Sequence, residues 1–113
     1  MNAFRNEVFS QTDKEKKEFF SDGQAKRCPI TGETITVETS HVDHSKPFTF
    51  ERLFDYFVQK QGINVSELDY NNLNNMRTLV DRELAEKWAA FHKKNARLQI
   101  VSKKANLSIL RKT

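Results

Sequence analysis

A chain of 113 residues with 37% apolar side chains, among them nine Phe, two Tyr and one Trp, has aromatic area for one core, which excludes a two-domain and a disordered reading. No apolar run approaches the length of a membrane span and the N-terminus lacks the apolar block of a secretion signal, so a cytoplasmic protein with no membrane partner is expected, its one cysteine unable to form an internal disulfide. The net charge of +4 hides an asymmetry, because from Lys87 onward there are eight Lys or Arg and no acid, a field suited to a polyanion such as DNA and equally to a solvated basic helix end.

In chain order, Phe4, Val8 and Phe9 have helical spacing, and Thr12-Asp13 reads as the cap of a short Lys-rich helix ending near Phe20. A hairpin follows, with Lys26-Arg27-Cys28 turning through Pro29-Ile30-Thr31-Gly32 into the alternating Glu33 to Val37, which could run on into Ser40-His41-Val42-Asp43-His44. Thr49 caps the clearest helix, where Phe50, Leu53, Phe54, Phe57 and Val58 share one face and Gly62 closes the last turn. Ser66 is expected to cap a further helical stretch through Asn75. A longer helix runs from Met76 or Asp81 to Lys94, stacking Leu84, Trp88 and Phe91. Ala96 to Val101 alternates as a strand with Ala96, Leu98 and Ile100 inward, and Ser102 caps a final basic helix, Lys103 to Arg111.

Two imidazoles and a carboxylate within four residues, His41 to His44, are more chemistry than packing needs. Hydrolysis of a phosphodiester requires a base for water, charge against the phosphorus and help for the leaving oxygen; a neutral His supplies the first and a Mg²⁺ or Mn²⁺ ion on oxygen ligands the others. Adjacent Asp43 and His44 would serve one site only where the strand ends or bends, and Ser45-Lys46-Pro47 supplies such an ending.

With Asn95 before the last strand and Asn106 in the first turn of the basic helix, the chain resembles an HNH endonuclease of the ββα-metal class, closest to the recombination endonuclease VII branch. Members of that branch carry His-Leu-Asp-His where this chain has His41-Val42-Asp43-His44. They also place a Lys-rich helix before a Cys-x-x-Cys knuckle, as Asp13 to Phe20 precedes Cys28-Pro29-Ile30-Thr31. The resemblance implies an α+β fold: one domain, 1–113, with a small ββα-metal core and a helical insertion, about 49–94, between its two strands. It implies a DNA endonuclease with His44 as general base, Asp43 and Asn106 as ligands of Mg²⁺ or Mn²⁺, and Asn95 orienting the base. From the residues themselves, Asn95 equally reads as a helix C-cap after Lys94, and His41 either supports the site by hydrogen bonding or packs half-buried beside Phe. Activity should then fall as His44 is protonated, around the reference pKa of ~6.5.

Lys46, Arg97, Lys103, Lys104, Arg111 and Lys112 are the expected phosphate contacts. The family's four zinc cysteines are absent, since Cys28 pairs with Thr31 and Ser102 and Ala105 stand where the second pair would be, so no structural zinc is expected. A mixed site of Cys28, His41, His44 and His92 has only one standard close spacing, His41 with His44. His92, four residues after Trp88, is read as packing or support. One such site cuts one strand, so double-strand cleavage would need a homodimer or two visits. A binding module that keeps the shape without the chemistry, and a protein-interaction domain, are the competing classes.

Overall fold

The computed structural model describes residues 2–110, with side chains through residue 107. The fold is mixed α+β: helices α1 (Asn2–Glu7), α2 (Phe9–Phe19), α3 (Phe50–Gln61) and α4 (Arg82–Asn95) accompany strands β1 (Lys26–Arg27), β2 (Thr34–Ile35), β3 (Ser40–His44), β4 (Tyr70–Leu73), β5 (Met76–Leu79) and β6 (Leu98–Ser102). The strands form three antiparallel pairs, β1–β2, β4–β5 and the non-local β3–β6. A π-helical segment, Ala105–Leu110, follows β6. Among the described residues no helix is long and apolar enough to cross a membrane.

Apolar spacing explains most of these elements. Phe4 and Val8 are buried while Phe9 is exposed, so α1 faces inward and the chain bends before α2. The second helix starts three residues ahead of the expected Thr12 cap. Thr12 Oγ1 instead donates to the Phe9 carbonyl inside the helix, a usual use of a mid-helix hydroxyl. In the first hairpin Cys28 and Glu33 bond across a turn closed by Gly32 at φ 76°, a conformation that favours glycine. Pairing stops at Ile35 and does not run on into β3, because Thr36 N–H donates to Thr39 Oγ1 and Thr39 N–H to the Thr36 carbonyl, which folds the chain into a turn.

Thr49 caps α3 by accepting from Arg52 N–H, and Gly62 ends it at φ 65°. The expected helix from Ser66 to Asn75 is absent. Asn64 caps one 3₁₀ turn, Val65–Glu67, and the chain then forms the β4–β5 hairpin. The reason lies in Asn74 and Asn75, at φ 53° and 62°. A two-residue hairpin turn needs φ > 0 at both central positions, and asparagine tolerates that region better than most side chains. The segment between β3 and β6 is therefore mixed and not helical throughout. Of the two expected starts for α4, Asp81 is the cap: its Oδ1 accepts from Leu84 N–H.

Two apolar clusters result. The larger surrounds Trp88, which is fully buried, holds the rings of Phe4, Phe50 and Phe57 within 6 Å and donates its Nε1–H to the Phe4 carbonyl. The smaller joins Phe20, Cys28, Ile35, Ile100, Val101 and Ala105. In β6 both Ile100 and Val101 are buried, whereas Ala96 and Leu98 are only half-buried, so the expected one-sided alternation gives way to a strand covered on both faces. Ser102 Oγ accepts from Ala105 N–H, as expected of a cap; Arg111 and Lys112 lie outside the described residues.

Candidate active site

The antiparallel register opposes His41 to Val101, Asp43 to Gln99 and His44 to Leu98. Alternation therefore puts His41 and Asp43 on one face together with Gln99, and Gln99 Nε2 donates to Asp43 Oδ2 at 2.7 Å. Asn106, in the first turn after β6, lies 2.9 Å through Nδ2 from His41 Nδ1. An amide nitrogen only donates, so Nδ1 of His41 accepts.

His44, the last residue of β3 and still paired with Leu98, lines the same cleft as Asp43 and Asn106. The cleft has a volume of about 1150 Å³, room for a nucleotide-sized stretch of backbone. Its cations are Arg5 from α1, Lys46 from the loop after β3 and Arg52 from the first turn of α3; Glu51 lines it too. Arg5 is further held by its guanidinium lying 4.0 Å above the Phe50 ring.

The half-buried His44 ring meets Phe50 edge-on at 5.4 Å and His92 at 5.0 Å, with 2.7 Å between the two Nε2 atoms. His92 is fully buried; its Nδ1 lies 2.7 Å from Gln11 Oε1, and Gln11 Nε2 donates to the Ala89 carbonyl at 2.9 Å. Burial, and then the nearby charge of Arg5, lowers His44 to about 4. Burial, and then the charge His44 would carry, lowers His92 to about 4 as well. His44 therefore stays neutral well below the reference value of ~6.5.

Several expected site residues do other things. Asn95 does not reach the base; its Nδ2 donates to the Phe91 carbonyl one turn back in α4, and the side chain that bonds His44 is His92. Arg97 stands 5.1 Å over the Phe48 ring, outside the cleft, and contributes its backbone carbonyl to Ser45 N–H. Lys103 and Lys104 line a separate, smaller groove with Glu33 and Glu38. There hydrogen bonds from Ser102 and Thr31, with the charge of Lys104, hold the Glu33 carboxyl below its usual range. Sequence reasoning missed Arg5, Arg52, Gln11 and Gln99. Only Gln99 had a signal, since pairing the two strands end to end places it opposite Asp43.

A magnesium-type ion suits the donors present. Mg²⁺ takes one or two protein oxygens and completes its shell with water and phosphate. Asp43 offers the carboxylate oxygen that Gln99 does not engage, and Asn106, its nitrogen turned to His41, offers its carbonyl oxygen. Among the described residues no three of His, Cys, Asp and Glu converge as a metal cage. Cys28 lies in the smaller apolar cluster, where its Sγ accepts from Ser102 N–H, away from the His44–His92 pair. No known protein family, curated protein or solved structure matches the chain.

Proposed function

We propose that this protein is a metal-dependent endonuclease that hydrolyses DNA phosphodiester bonds, with β3, β6 and the segment after them serving as an HNH-type ββα-metal core. The observation that carries the reading is that Asp43 and Asn106, from distant parts of the chain, line one cleft with His44.

Neutral His44 takes the proton of the attacking water; its lowered pKa keeps it unprotonated at neutral pH and makes it a weaker base than a free imidazole. Arg5, Lys46 and Arg52 meet the phosphate oxygens, so the backbone is held before the water attacks. Gln99 holds the Asp43 carboxylate and His41 holds the Asn106 amide, each by one hydrogen bond, which fixes both oxygens without their having to reorder on binding. A Mg²⁺ or Mn²⁺ ion held by Asp43 and Asn106 would supply the charge that stabilises the extra negative charge on phosphorus and on the departing oxygen.

Supercoiled, linear and branched DNA incubated with Mg²⁺ or Mn²⁺ should be nicked or cut, EDTA should stop the reaction, and His44→Ala should abolish it while retaining DNA. Intact DNA under every divalent ion overturns the proposal. Salt-sensitive retention of DNA that neither cleavage nor chelation accompanies identifies a non-catalytic binding module instead.

A further inference from the structure

We propose that Gln11 and His92 are positioning residues that fix the tautomer of His44, leaving its Nδ1 as the atom that receives the proton. The tautomer follows from hydrogen-bond geometry alone, and only the use of Nδ1 rests on the nuclease reading.

The argument starts from a group with a single option. The Ala89 carbonyl can only accept, so the Gln11 atom 2.9 Å from it is the amide nitrogen, and the amide is oriented without ambiguity. Gln11 Oε1 therefore faces His92 Nδ1 at 2.7 Å, and an amide oxygen can only accept. The proton of neutral His92 is thus on Nδ1 and its Nε2 is a bare lone pair. That lone pair stands 2.7 Å from His44 Nε2, which must be the donor. Neutral His44 then has its own lone pair on Nδ1. Three elements supply the chain, α2 with Gln11, α4 with Ala89 and His92, and β3 with His44. His92 is fully buried, so no solvent competes for its nitrogens.

The same arrangement serves the charged state. As the O–H bond of the water breaks, its proton goes to His44 Nδ1 and its oxygen bonds to phosphorus, while the P–O bond to the leaving oxygen breaks with the electron pair on that oxygen. No hydrogen bond in the relay has to reverse. The His44 Nε2–H bond to His92 becomes charge-assisted and so strengthens as the imidazolium forms. Gln11 and His92 touch neither water nor phosphate in this scheme; they act through His44.

Two-bond ¹H–¹⁵N spectra of the uniformly labelled full chain, in mildly alkaline buffer without metal or DNA, read each ring directly. The expected pattern is a bare Nδ1 and protonated Nε2 for His44, and the reverse for His92. A His44 ring protonated on Nδ1 overturns the proposal with no variant needed. Gln11→Met removes both the acceptor and the anchor at a partly buried site. It should mix the tautomers of both rings and lower kcat for plasmid nicking in Mg²⁺ about 10-fold, a share of what a general base provides, with KM nearly unchanged. Gln11→Glu keeps an oxygen for His92 Nδ1–H and should restore the wild-type ring pattern and cleave faster than Gln11→Met. Unaltered tautomers in Gln11→Met overturn the positioning role. A wild type that shows the expected rings but cuts no DNA overturns the nuclease reading alone.

Discussion

Acidification from about pH 7 to about pH 5 should destabilise the fold through the His44–His92 pair. Both imidazoles ordinarily titrate near 6.5 and are lowered to about 4 in the folded chain by burial. The folded state therefore disfavours the protons that the unfolded chain accepts. Between about 6.5 and about 4 the unfolded state binds more protons, so stability rises with pH across that window and is lost on acidification. One imidazole with that shift loses ~2 kcal/mol by about pH 5. His44 keeps one side toward the cleft, and part of the His92 shift is the charge His44 would carry, so ~2 kcal/mol is the expectation for the pair together. That is a sizeable share of a small domain's stability. Urea unfolding followed by far-UV circular dichroism at pH 7, 6 and 5 measures it, with His92→Gln as the comparison because an amide bonds without titrating. The variant should lose roughly half as much stability over the same range. Parallel losses in the two proteins, or a wild type as stable at pH 5 as at pH 7, would refute the reasoning.

Replacing Asp43 by Ala removes the one carboxylate among the proposed ligands and leaves Gln99 without its partner; cleavage in Mg²⁺ should fall at least ~100-fold, measured by plasmid nicking, while the circular dichroism spectrum is retained. Arg5→Ala should weaken DNA binding and reduce the slope of log K against log salt by about 0.9, the signature of one lost phosphate contact in duplex DNA. Asp81→Ala deletes the cap that accepts from Leu84 N–H and should cost ~1 kcal/mol in urea unfolding.

Local signals made some elements readable and left others dark. Thr49, Gly62 and the Phe-rich face between them specify α3 because cap, stop and periodicity all favour the same helix. The Asn-rich stretch misled for a related reason: asparagine weakens a helix and also takes up φ > 0, and only the pairing of Tyr70–Leu73 with Met76–Leu79 decides between a poor helix and a hairpin. At the site, the Asp-His quartet and Asn106 could be singled out because those residue types rarely cluster without reason, and Asp43, His44 and Asn106 are all among the residues lining the cleft. Arg5, Gln11 and His92 could not be assigned their partners, because each meets His44 or its cleft only through the packing of α1, α2 and α4 against the end of β3. Asn95 shows the converse error, since a residue placed by motif spacing is claimed instead by the carbonyl of its own helix.

Ser45 N–H and the Arg97 carbonyl meet at 2.7 Å, so the chain leaves β3 and returns to β6 through a single gate. The segment between shares its hydrophobic centre with Ala3, Phe4 and Val8, is tied to Gln11, and sends Phe50 and His92 back to the strand that carries Asp43. Such a layout lets the exposed Asn74-Asn75 turn accept insertions or grafted recognition segments while β3 and β6 keep their register. It also means that native-state hydrogen exchange should resolve two cooperative units, one around Trp88 and one across β3 and β6, whose opening free energies can be tuned separately.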